Sequence, residues 1–357
     1  MVRILVASLL IVFAAVSAGC FPLPGPALDE WNTTSGQSES QEIGIPESQP
    51  LAPISGRYGI FTMLPDGSDI RLLSSSDHMR NHAHVNSGRI LVSEYRQDLN
   101  GDGRRDEADL ASSDVSIISM DGSQWFPVAH RPGYDITPVW SPDGYQVLYS
   151  SDRDNRTGFL DLYVYDLRDD SLRNLTRTVD AIEGDPHWVG DQIVFNRIRS
   201  DGTARLWIMQ ADGSEQRQLT NPSYSGRSVG MYPFGDFDPK LSPDGGTVVF
   251  ERHLDDDLMI YGNNVGNWDI FTVDVVTGVE RVLVGGAGVD VVPTWSPDGG
   301  SLAYWQVTPD HFTIFTVPAT GGAPRRLFAP RADLQAEMPD WYLDDGVVRL
   351  IFSAYRD

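Results

Sequence analysis

The sequence has little cysteine and few basic residues. Cys20 is the only cysteine among 357 residues, so no disulfide can form within the chain. The chain carries 27 lysines and arginines against 50 aspartates and glutamates, which gives a net charge of −23. Because binding to nucleic-acid phosphates needs a basic surface, this balance excludes nucleic acid as the expected partner. The hydrophobic fraction of 41% excludes a wholly disordered chain.

Long hydrophobic runs are scarce as well. The apolar run at residues 4–16 is shorter than the ~20 residues that a helix needs to cross a bilayer, and no later stretch qualifies. The run follows Arg3 and precedes the small residues 17–19 and then Cys20, which is the order of an export signal. The N-terminus therefore predicts an exported protein.

Residues 1–19 resemble a bacterial lipoprotein signal peptide, with Ser17 standing where that family usually has leucine. The resemblance implies that Cys20 becomes the lipidated first residue of the mature chain. A plain secretory signal with an incidental cysteine is the alternative. Residues 20–53 are rich in Pro, Ser, Gln, Glu and Gly, a composition that predicts a disordered tether. The folded domain is then expected at residues 54–357.

A five-residue string recurs through this domain. Residues 140–144 and 295–299 both read Trp-Ser-Pro-Asp-Gly, and residues 241–245 read Leu-Ser-Pro-Asp-Gly. Weaker copies are anchored at His84, Trp188 and Trp341. Successive anchors are 46 to 56 residues apart, a period that suits repeats of four short strands.

Each repeat also has the local signals of strands and turns. Ser-Pro-Asp-Gly suits a type I turn, since proline presets φ at the second position and glycine is favoured at the fourth. The hairpin at residues 60–72 precedes every anchor, whereas the last anchor is followed by one strand at 347–354. We therefore expect an all-β, six-bladed β-propeller of four-stranded blades, closed by N-terminal and C-terminal strands that share one blade.

The repeat resembles that of the TolB-type propeller family. That pattern is proline, any residue, Trp-Ser-Pro-Asp-Gly, a strand and then Ser-Asp-Arg, which is present here at residues 151–153. The resemblance covers about residues 58–357 and does not include the separate N-terminal α/β domain of TolB. It implies a propeller in the cell envelope, and propellers include binding proteins, scaffolds and enzymes.

A calcium loop is predicted at residues 98–109. Oxygen ligands at loop positions 1, 3, 5, 9 and 12 would come from side chains, with a backbone carbonyl at position 7 and Gly103 at the sharp turn. The loop resembles that of dockerins and EF-hands, although Arg105 replaces an aliphatic residue. A solvated acidic insertion is the alternative. The expected ligands are Asp98, Asn100, Asp102, the carbonyl of Arg104, Asp106 and Asp109.

Acidic residues recur three positions before the anchor prolines. In a propeller this position precedes the innermost strand, so the carboxylates would encircle one mouth of the central channel and attract a cation or a basic partner. The alternative is that each carboxylate accepts hydrogen bonds from backbone amides of the neighbouring blade. The residues are Asp135, Glu183, Asp236 and Asp290, with Glu337 one place off.

Two long insertions flank one repeat, at residues 221–235 and 253–268. Their aromatic residues, Tyr232 and Tyr261 among them, predict a binding surface for a glycan or a peptide, because binding usually resides in long loops on a rigid scaffold. Packing of these aromatics on one another is the alternative. The tether is expected to leave from the same face.

Catalytic signatures are weak. Residues 226–230 match Gly-x-Ser-x-Gly but lack the preceding strand and following helix of a nucleophile elbow. His82 and His84 could share one strand face as metal ligands, with His78 nearby, but loop histidines are the favoured interpretation.

The sequence thus predicts a lipid-anchored protein of the periplasm or cell surface, monomeric, with membrane contact through the anchor alone. Its expected function is non-catalytic binding or scaffolding of an envelope protein or glycan, with one structural calcium ion. The alternative is an enzyme acting on polysaccharide or peptide through an acidic, histidine-bearing channel mouth.

Removal of calcium tests the predicted loop. Chelator should lower the melting temperature, because a ligand at about 100 times its Kd adds ~2.7 kcal/mol to the free energy of unfolding. Asp102→Ala should abolish this response, and Asp169→Ala, outside the loop, should keep it. A wild-type protein that melts at the same temperature with and without chelator would refute the site.

Overall fold

The computed structural model describes residues 57–99, 101, 103–105, 109, 111–154, 159–223, 233–254, 258–260, 263–286, 288–307, 312–327 and 335–355. The regular elements in this part of the chain are all strands, which confirms the all-β prediction. No helix there is long and apolar enough to cross a membrane. The signal, the tether and Cys20 lie outside the described residues.

The strands are short, mostly five to eight residues, and are named here in chain order. They are β1 (Tyr58–Met63), β2 (Arg71–Ser76), β3 (Arg80–Asn86), β4 (Arg89–Tyr95), β5 (Ser112–Ser119), β6 (Trp125–Ala129), β7 (Gly133–Trp140), β8 (Gln146–Ser151), β9 (Asp161–Asp166), β10 (Ser171–Asn174), β11 (Ile182–Val189), β12 (Gln192–Ile198), β13 (Ala204–Gln210), β14 (Arg217–Gln218), β15 (Gly235–Leu241), β16 (Thr247–His253), β17 (Met259–Ile260), β18 (Asn263–Asn264), β19 (Trp268–Asp274), β20 (Glu280–Val284), β21 (Val289–Trp295), β22 (Ser301–Val307), β23 (Phe312–Pro318), β24 (Arg325–Arg326), β25 (Gln335–Asp344) and β26 (Val347–Tyr355).

Antiparallel pairing joins the strands of the described chain in sets of four, here called units, except that β17 and β18 pair only with each other. Within a unit the strands are named first to fourth in the order in which they pair. The units are β3–β6, β7–β10, β11–β14, then β15, β16, β19 and β20, then β21–β24, and finally β25, β26, β1 and β2.

Neighbouring units share one orientation. The third strand of a unit runs parallel to the first strand of the next where the two meet, as at Ala204 with Gly235 and Trp268 with Val289. The first strands also pack in sequence, β3 against β7, then β11, β15, β21 and β25, and β25 packs against β3. All units therefore present their connections of the same kind on the same side.

This orientation gives the assembly two distinct sides. The loop face carries the connections from second to third strands and from each unit to the next, which include the described parts of residues 96–111, 152–160, 175–181, 219–234 and 254–267. The turn face carries the tight connections from first to second and from third to fourth strands. The two insertions predicted from the sequence, at residues 221–235 and 253–268, begin and end at strand ends of the loop face, and residues 224–232, 255–257 and 261–262 lie outside the described residues.

The hydrophobic core lies between units. Val147 and Tyr149 of β8 pack with Trp140 in a cluster that includes side chains of the preceding unit. Leu148, which lies between them in sequence, packs instead with Trp188 of the following unit. Because side chains alternate along a strand, each sheet buries apolar residues on both faces.

The two ends of the described chain meet in one sheet. β1 is antiparallel to β26 from Tyr58 opposite Tyr355 to Met63 opposite Leu350. The buried rings of Phe61 and Phe352 stack across this pair, with centroids 5.6 Å apart. The outer edge of β26 is thereby covered by the N-terminal hairpin.

The Ser-Pro-Asp-Gly segments form the expected turns. In the first, Ser141 Oγ donates to Asp143 Oδ1 at 2.6 Å, and the Gly144 amide donates to the Ser141 carbonyl at 2.9 Å. Gly144 has a φ of +71°, a conformation that glycine adopts at little cost.

One anchor predicted from the sequence is wrong by one residue. Val85, opposite Ile90, occupies the place that Trp188, opposite Ile193, holds in its unit. His84 therefore corresponds to His187. The error arose because the β3–β4 turn lacks the Ser-Pro-Asp-Gly string that would have set the alignment.

Truncation of Phe352 tests how much the contact between the two ends of the described chain contributes to the free energy of unfolding. Phe352→Ala should lower the free energy of unfolding by ~3–5 kcal/mol, the usual cost of removing a buried phenylalanine ring. Phe126→Ala is the control, because Phe126 is 47% exposed on β6. Denaturant unfolding that finds equal losses for the two variants would contradict a stabilising role for this contact.

Candidate functional site

One cavity is lined by the first strands of all the units and is called the central cavity here. Its volume is about 40 Å³, enough for a small number of waters. The lining residues are His82, Ala83, His84, Thr137, Pro138, Val139, Asp185, Pro186, His187, Asp238, Lys240, Val292, Met338, Pro339 and Asp340.

A β-bulge in each first strand shapes this cavity. The ladder shifts register at this point in every unit, and the bulged residue has a φ between +45° and +51°. Such a φ is unfavourable for β-branched residues, so the surrounding ladders must hold it in place. The bulged residues, all of which line the cavity, are His82, Thr137, Asp185, Asp238, Val292 and Met338.

Two cavity histidines connect neighbouring units. Nδ1 of His84 accepts the backbone N–H of Trp140 at 3.0 Å, and Nδ1 of His187 accepts that of Leu241 at 3.0 Å. The indole of Trp140 donates in return to the His84 carbonyl at 3.1 Å. Since Nδ1 accepts, each neutral ring carries its proton on Nε2.

Other side chains near the cavity also form hydrogen bonds between neighbouring units. Thr294 Oγ1 donates to Asp340 Oδ1 of the next unit at 2.7 Å. The indole of Trp295 donates to the Lys240 carbonyl of the preceding unit at 3.0 Å. The polar groups around the cavity therefore hold adjacent first strands together.

Burial controls the charge of the cavity. Burial lowers the pKa of His82 to about 3 and also lowers the pKa of His84 and His187. Burial, together with the nearby Asp238, raises the pKa of Asp185 to about 8. The histidines and Asp185 are therefore uncharged near pH 7. The carboxylic acid of Asp185 lies beside Asn196, whose Nδ2 is 2.5 Å from Oδ2.

Four of the recurrent acidic residues occupy one register position, opposite a second-strand residue of their own unit. Each is buried, and burial raises its pKa, to about 7 for Glu183 and about 6 for Asp290. The hydrogen-bonded pairs are Asp135 with Ser151 (2.6 Å), Glu183 with Arg197 (2.8 Å), Asp236 with Arg252 (2.5 and 3.0 Å) and Asp290 with Gln306 (2.8 Å).

The fifth acidic residue differs from these four. Glu337 lies opposite Ser353, whereas Ala336 holds the equivalent register position. Both carboxylate oxygens of Glu337 are buried without a hydrogen-bond partner among the described residues, and burial raises its pKa to about 8. In the unit of β3 the charges are reversed, since Arg80 lies opposite Glu94 with 2.7 Å between Nε and Oε1.

These acidic residues do not line the central cavity, as far as the described chain shows. Four of them, all but Glu337, hydrogen-bond to side chains of the second strand of their own unit, whereas the sequence-based alternative had backbone amides of a neighbouring blade. Attraction of a cation or a basic partner by this ring stays a prediction.

The predicted calcium loop is described in part. Asn100, Asp102 and Asp106 lie outside the described residues. Asp98 accepts the amides of Gly101 at 2.7 Å and Gly103 at 2.9 Å, and Asp109 accepts the Leu99 amide at 2.7 Å.

The described part of the loop is compatible with a hard cation. Gly103, expected at the sharp turn, has a φ of +81°. Asp98 and Asp109, at the two ends of the loop, both accept hydrogen bonds from backbone amides of the loop. Their carboxylate oxygens are the kind of ligand that calcium binds. Within the described residues, no three His, Cys, Asp or Glu side chains form a group that could hold a metal ion.

Some of the remaining predicted residues lie within the described chain and others do not. Tyr232, Tyr261 and the string at 226–230 lie outside the described residues. His82 and His84 both line the central cavity, whereas Nδ1 of His78 lies 2.9 Å from Ser76 Oγ.

Three proteins with related sequences provide a comparison. The uncharacterized protein Atu1656 of Agrobacterium fabrum is 31% identical over 209 residues, which are 57% of this chain and 65% of that protein. TolB of Anaeromyxobacter dehalogenans is 32% identical over 29% of this chain and 23% of its own length. A TolB homolog of Chlorobium luteolum is 25% identical over 47% of this chain and 33% of its own length. The matches thus span less than two thirds of each relative.

Solved structures agree at the level of fold. A candidate TolB from Agrobacterium tumefaciens superposes with a TM-score of 0.62 at 16% identity, covering 85% of this chain and 99% of its own. TolB from Acinetobacter baumannii superposes with a TM-score of 0.53 at 14% identity, and the match covers 84% of this chain and 64% of that protein. No protein-family model matches the chain. These comparisons support a TolB-type β-propeller family.

Sequence reasoning missed most of the central cavity. Asp185, Asp238, His187 and Lys240 line it but were not singled out. The available signal was their position, immediately before or after the anchor proline in two successive repeats. The bulge that turns them toward the cavity has no distinctive residue type.

The pH dependence of stability tests the state of Asp185. Its raised pKa means that it stabilises the fold below pH ~4 and that this contribution is lost as pH rises toward 8. Asp185→Asn mimics the protonated acid, so its stability relative to wild type should increase between pH 5 and pH 8, by at most ~1.4 kcal/mol per pH unit.

Asp191→Asn is the matched control, because Asp191 is exposed in the β11–β12 turn. Its thermal unfolding curves should follow wild type at every pH. A constant difference between Asp185→Asn and wild type across this range would show that Asp185 is ionised in the folded protein.

Proposed function

We propose that this chain is an exported cell-envelope protein that binds or scaffolds a protein or glycan partner without catalysing a reaction. In this proposal, residues 1–19 direct export and Cys20 carries a lipid anchor. The six units are the blades of one closed propeller, sealed by the pairing of β1 with β26. A calcium ion held by residues 98–109 stabilises the loop between β4 and β5.

The similarity to TolB proteins supports an envelope location. Two relatives are named for TolB, and one of them for the Tol-Pal system. Their matches cover 23% and 33% of their lengths, so the partner of this chain does not follow from theirs. The export signal and the single cysteine after it point to the same compartment.

The hydrogen bonds of the cavity histidines support the proposal that the protein is not an enzyme. A general acid or base has to exchange a proton with a bound substrate. Here His84 and His187 each use Nδ1 to hold the backbone of the next unit. A cavity of about 40 Å³ also has no room for a sugar ring or a peptide.

The loop face is the surface that we assign to the partner. It carries the long connections, and rigid scaffolds usually bind through such loops. The net charge of −23 favours a partner with basic groups at the contact, because opposite charges accelerate encounter and set specificity. The turn face carries short turns that are conformationally fixed.

Selective blocking of each face tests this assignment. Val179 on the loop face and Val276 on the turn face are exposed to 82% and 90%, so cysteine at either position can be labelled. In a Cys20→Ser background, which has no other cysteine, a polyethylene glycol maleimide would then cover one face at a time. We expect the label at Val179→Cys, but not at Val276→Cys, to prevent capture of the partner from envelope extract.

Equal capture by the two labelled proteins, or loss only with the label on the turn face, would contradict the assignment. The unlabelled variants control for the substitutions themselves. Release of product from an envelope polysaccharide or peptide by the wild-type protein would favour the enzyme alternative.

A further inference from the structure

A second pocket opens on the loop face and shares no lining residue with the central cavity. It lies between the β8–β9 connection, the outer strand β10 and the β10–β11 connection, and its volume is about 600 Å³. The lining residues are Arg153, Asp154, Asp161, Tyr163, Leu172, Arg173, Asn174, Arg177 and Thr178.

Three arginines of this strongly acidic chain converge on the pocket. Arg153, Arg173 and Arg177 are exposed, and none forms an ion pair with a carboxylate elsewhere in the described residues. Other arginines of the protein do pair, as Arg197 does with Glu183 and Arg252 with Asp236. The pocket thus gathers guanidinium groups whose donors are available to a ligand.

The first carboxylate in the pocket is already occupied. Asp161 Oδ2 accepts Asn174 Nδ2 at 2.8 Å, and Oδ1 accepts the amide of Thr178 at 2.8 Å. The hydroxyls of Thr176 and Thr178 lie 3.2 Å from the same Oδ1. Asp161 is 3% exposed, so these bonds use its acceptors inside the wall of the pocket.

The second carboxylate is engaged by tyrosine. The hydrogen bond between Asp154 and the Tyr163 hydroxyl, together with burial, raises the pKa of Tyr163. Asn174 Nδ2 also lies 3.0 Å from this hydroxyl. Asp161 is therefore buried in the wall, and the exposed charged side chains of the pocket are three arginines and Asp154, which is hydrogen-bonded to Tyr163.

The backbone of the β10–β11 connection is held in position as well. Asn174 Oδ1 accepts the amides of Thr176 at 3.1 Å and Arg177 at 3.0 Å. Arg177 has a φ of +51° in this arrangement. The connection thus presents the Arg177 side chain from a fixed backbone.

We propose that this pocket binds the phosphate group of a phosphate ester. A guanidinium offers several N–H donors in a rigid fork that matches phosphate oxygens, and charge-assisted bonds of this kind are the strong ones. Three such groups from three segments can surround a tetrahedral anion, and 600 Å³ leaves space for the rest of the ester. A soluble phosphate and an anionic lipid headgroup share this chemistry. The site does not depend on the proposed function, because phosphate binding can be measured without a membrane or a partner.

Calorimetric titration of the full chain with inorganic phosphate tests the site. Arg173→Gln should weaken phosphate binding roughly tenfold or more, since it removes a hydrogen bond to a charged group. Arg281→Gln is the matched control, because Arg281 is also an exposed arginine on an outer strand, β20. It should bind phosphate as wild type does. Both variants should have the melting temperature of the wild-type protein, because the substituted side chains are exposed.

A second titration distinguishes the two sources of phosphate. Dihexanoyl phosphatidylglycerol, a short-chain lipid, should bind more tightly than inorganic phosphate if the site takes a headgroup. Binding no tighter than that of inorganic phosphate would assign the site to a soluble ester, and either result upholds a phosphate pocket. Dihexanoylglycerol, which has the same acyl chains and no phosphate, controls for the acyl chains.

Three results would overturn the proposal. The first is no binding of phosphate by wild type. The second is equal binding by wild type and Arg173→Gln, and the third is an equal loss in Arg281→Gln.

Discussion

The structure depends on the need of every four-stranded sheet for a neighbour on each side. β8 shows why, since Val147 and Tyr149 pack toward one neighbour and Leu148 toward the other. A unit with one face uncovered would expose a large apolar surface to water. The same need applies to the terminal sheet, where β1 supplies the third strand and the stacked rings of Phe61 and Phe352 bury the seam. Closure of the chain is thus the proposal that gives both faces of every sheet a neighbour.

Packing the first strands side by side brings polar groups together at the central cavity, among apolar side chains such as Val292 and Met338. The bulges place one residue with positive φ from each unit at the central cavity. Close to the bulges, His84 and His187 accept hydrogen bonds from backbone amides of the adjacent unit. Burial favours the neutral forms of His84, His187 and Asp185. Hydrogen bonds between adjacent units hold this polar centre together.

The two sides of the molecule then differ in what they can do. Tight turns leave the turn face with few side chains free to adapt, whereas the loop face carries the long connections and the arginine pocket. Arg153, Arg173 and Arg177 form a local positive site on a protein of net charge −23. Such a site can select a small anion, while the surrounding negative charge favours basic groups on a larger partner. The two proposals therefore concern different ligands on one face.

The repeated Trp-Ser-Pro-Asp-Gly string by itself determined that the chain is all-β, because proline and glycine set the turn and alternating apolar runs set the strands. It also located the acidic residues of the first strands. Only the tertiary structure decided that Val85 and not His84 holds the anchor position, and that His187 faces the central cavity. Bulges and partner choice depend on how adjacent strands pack, and such contacts join residues that are far apart in the chain and carry no local pattern.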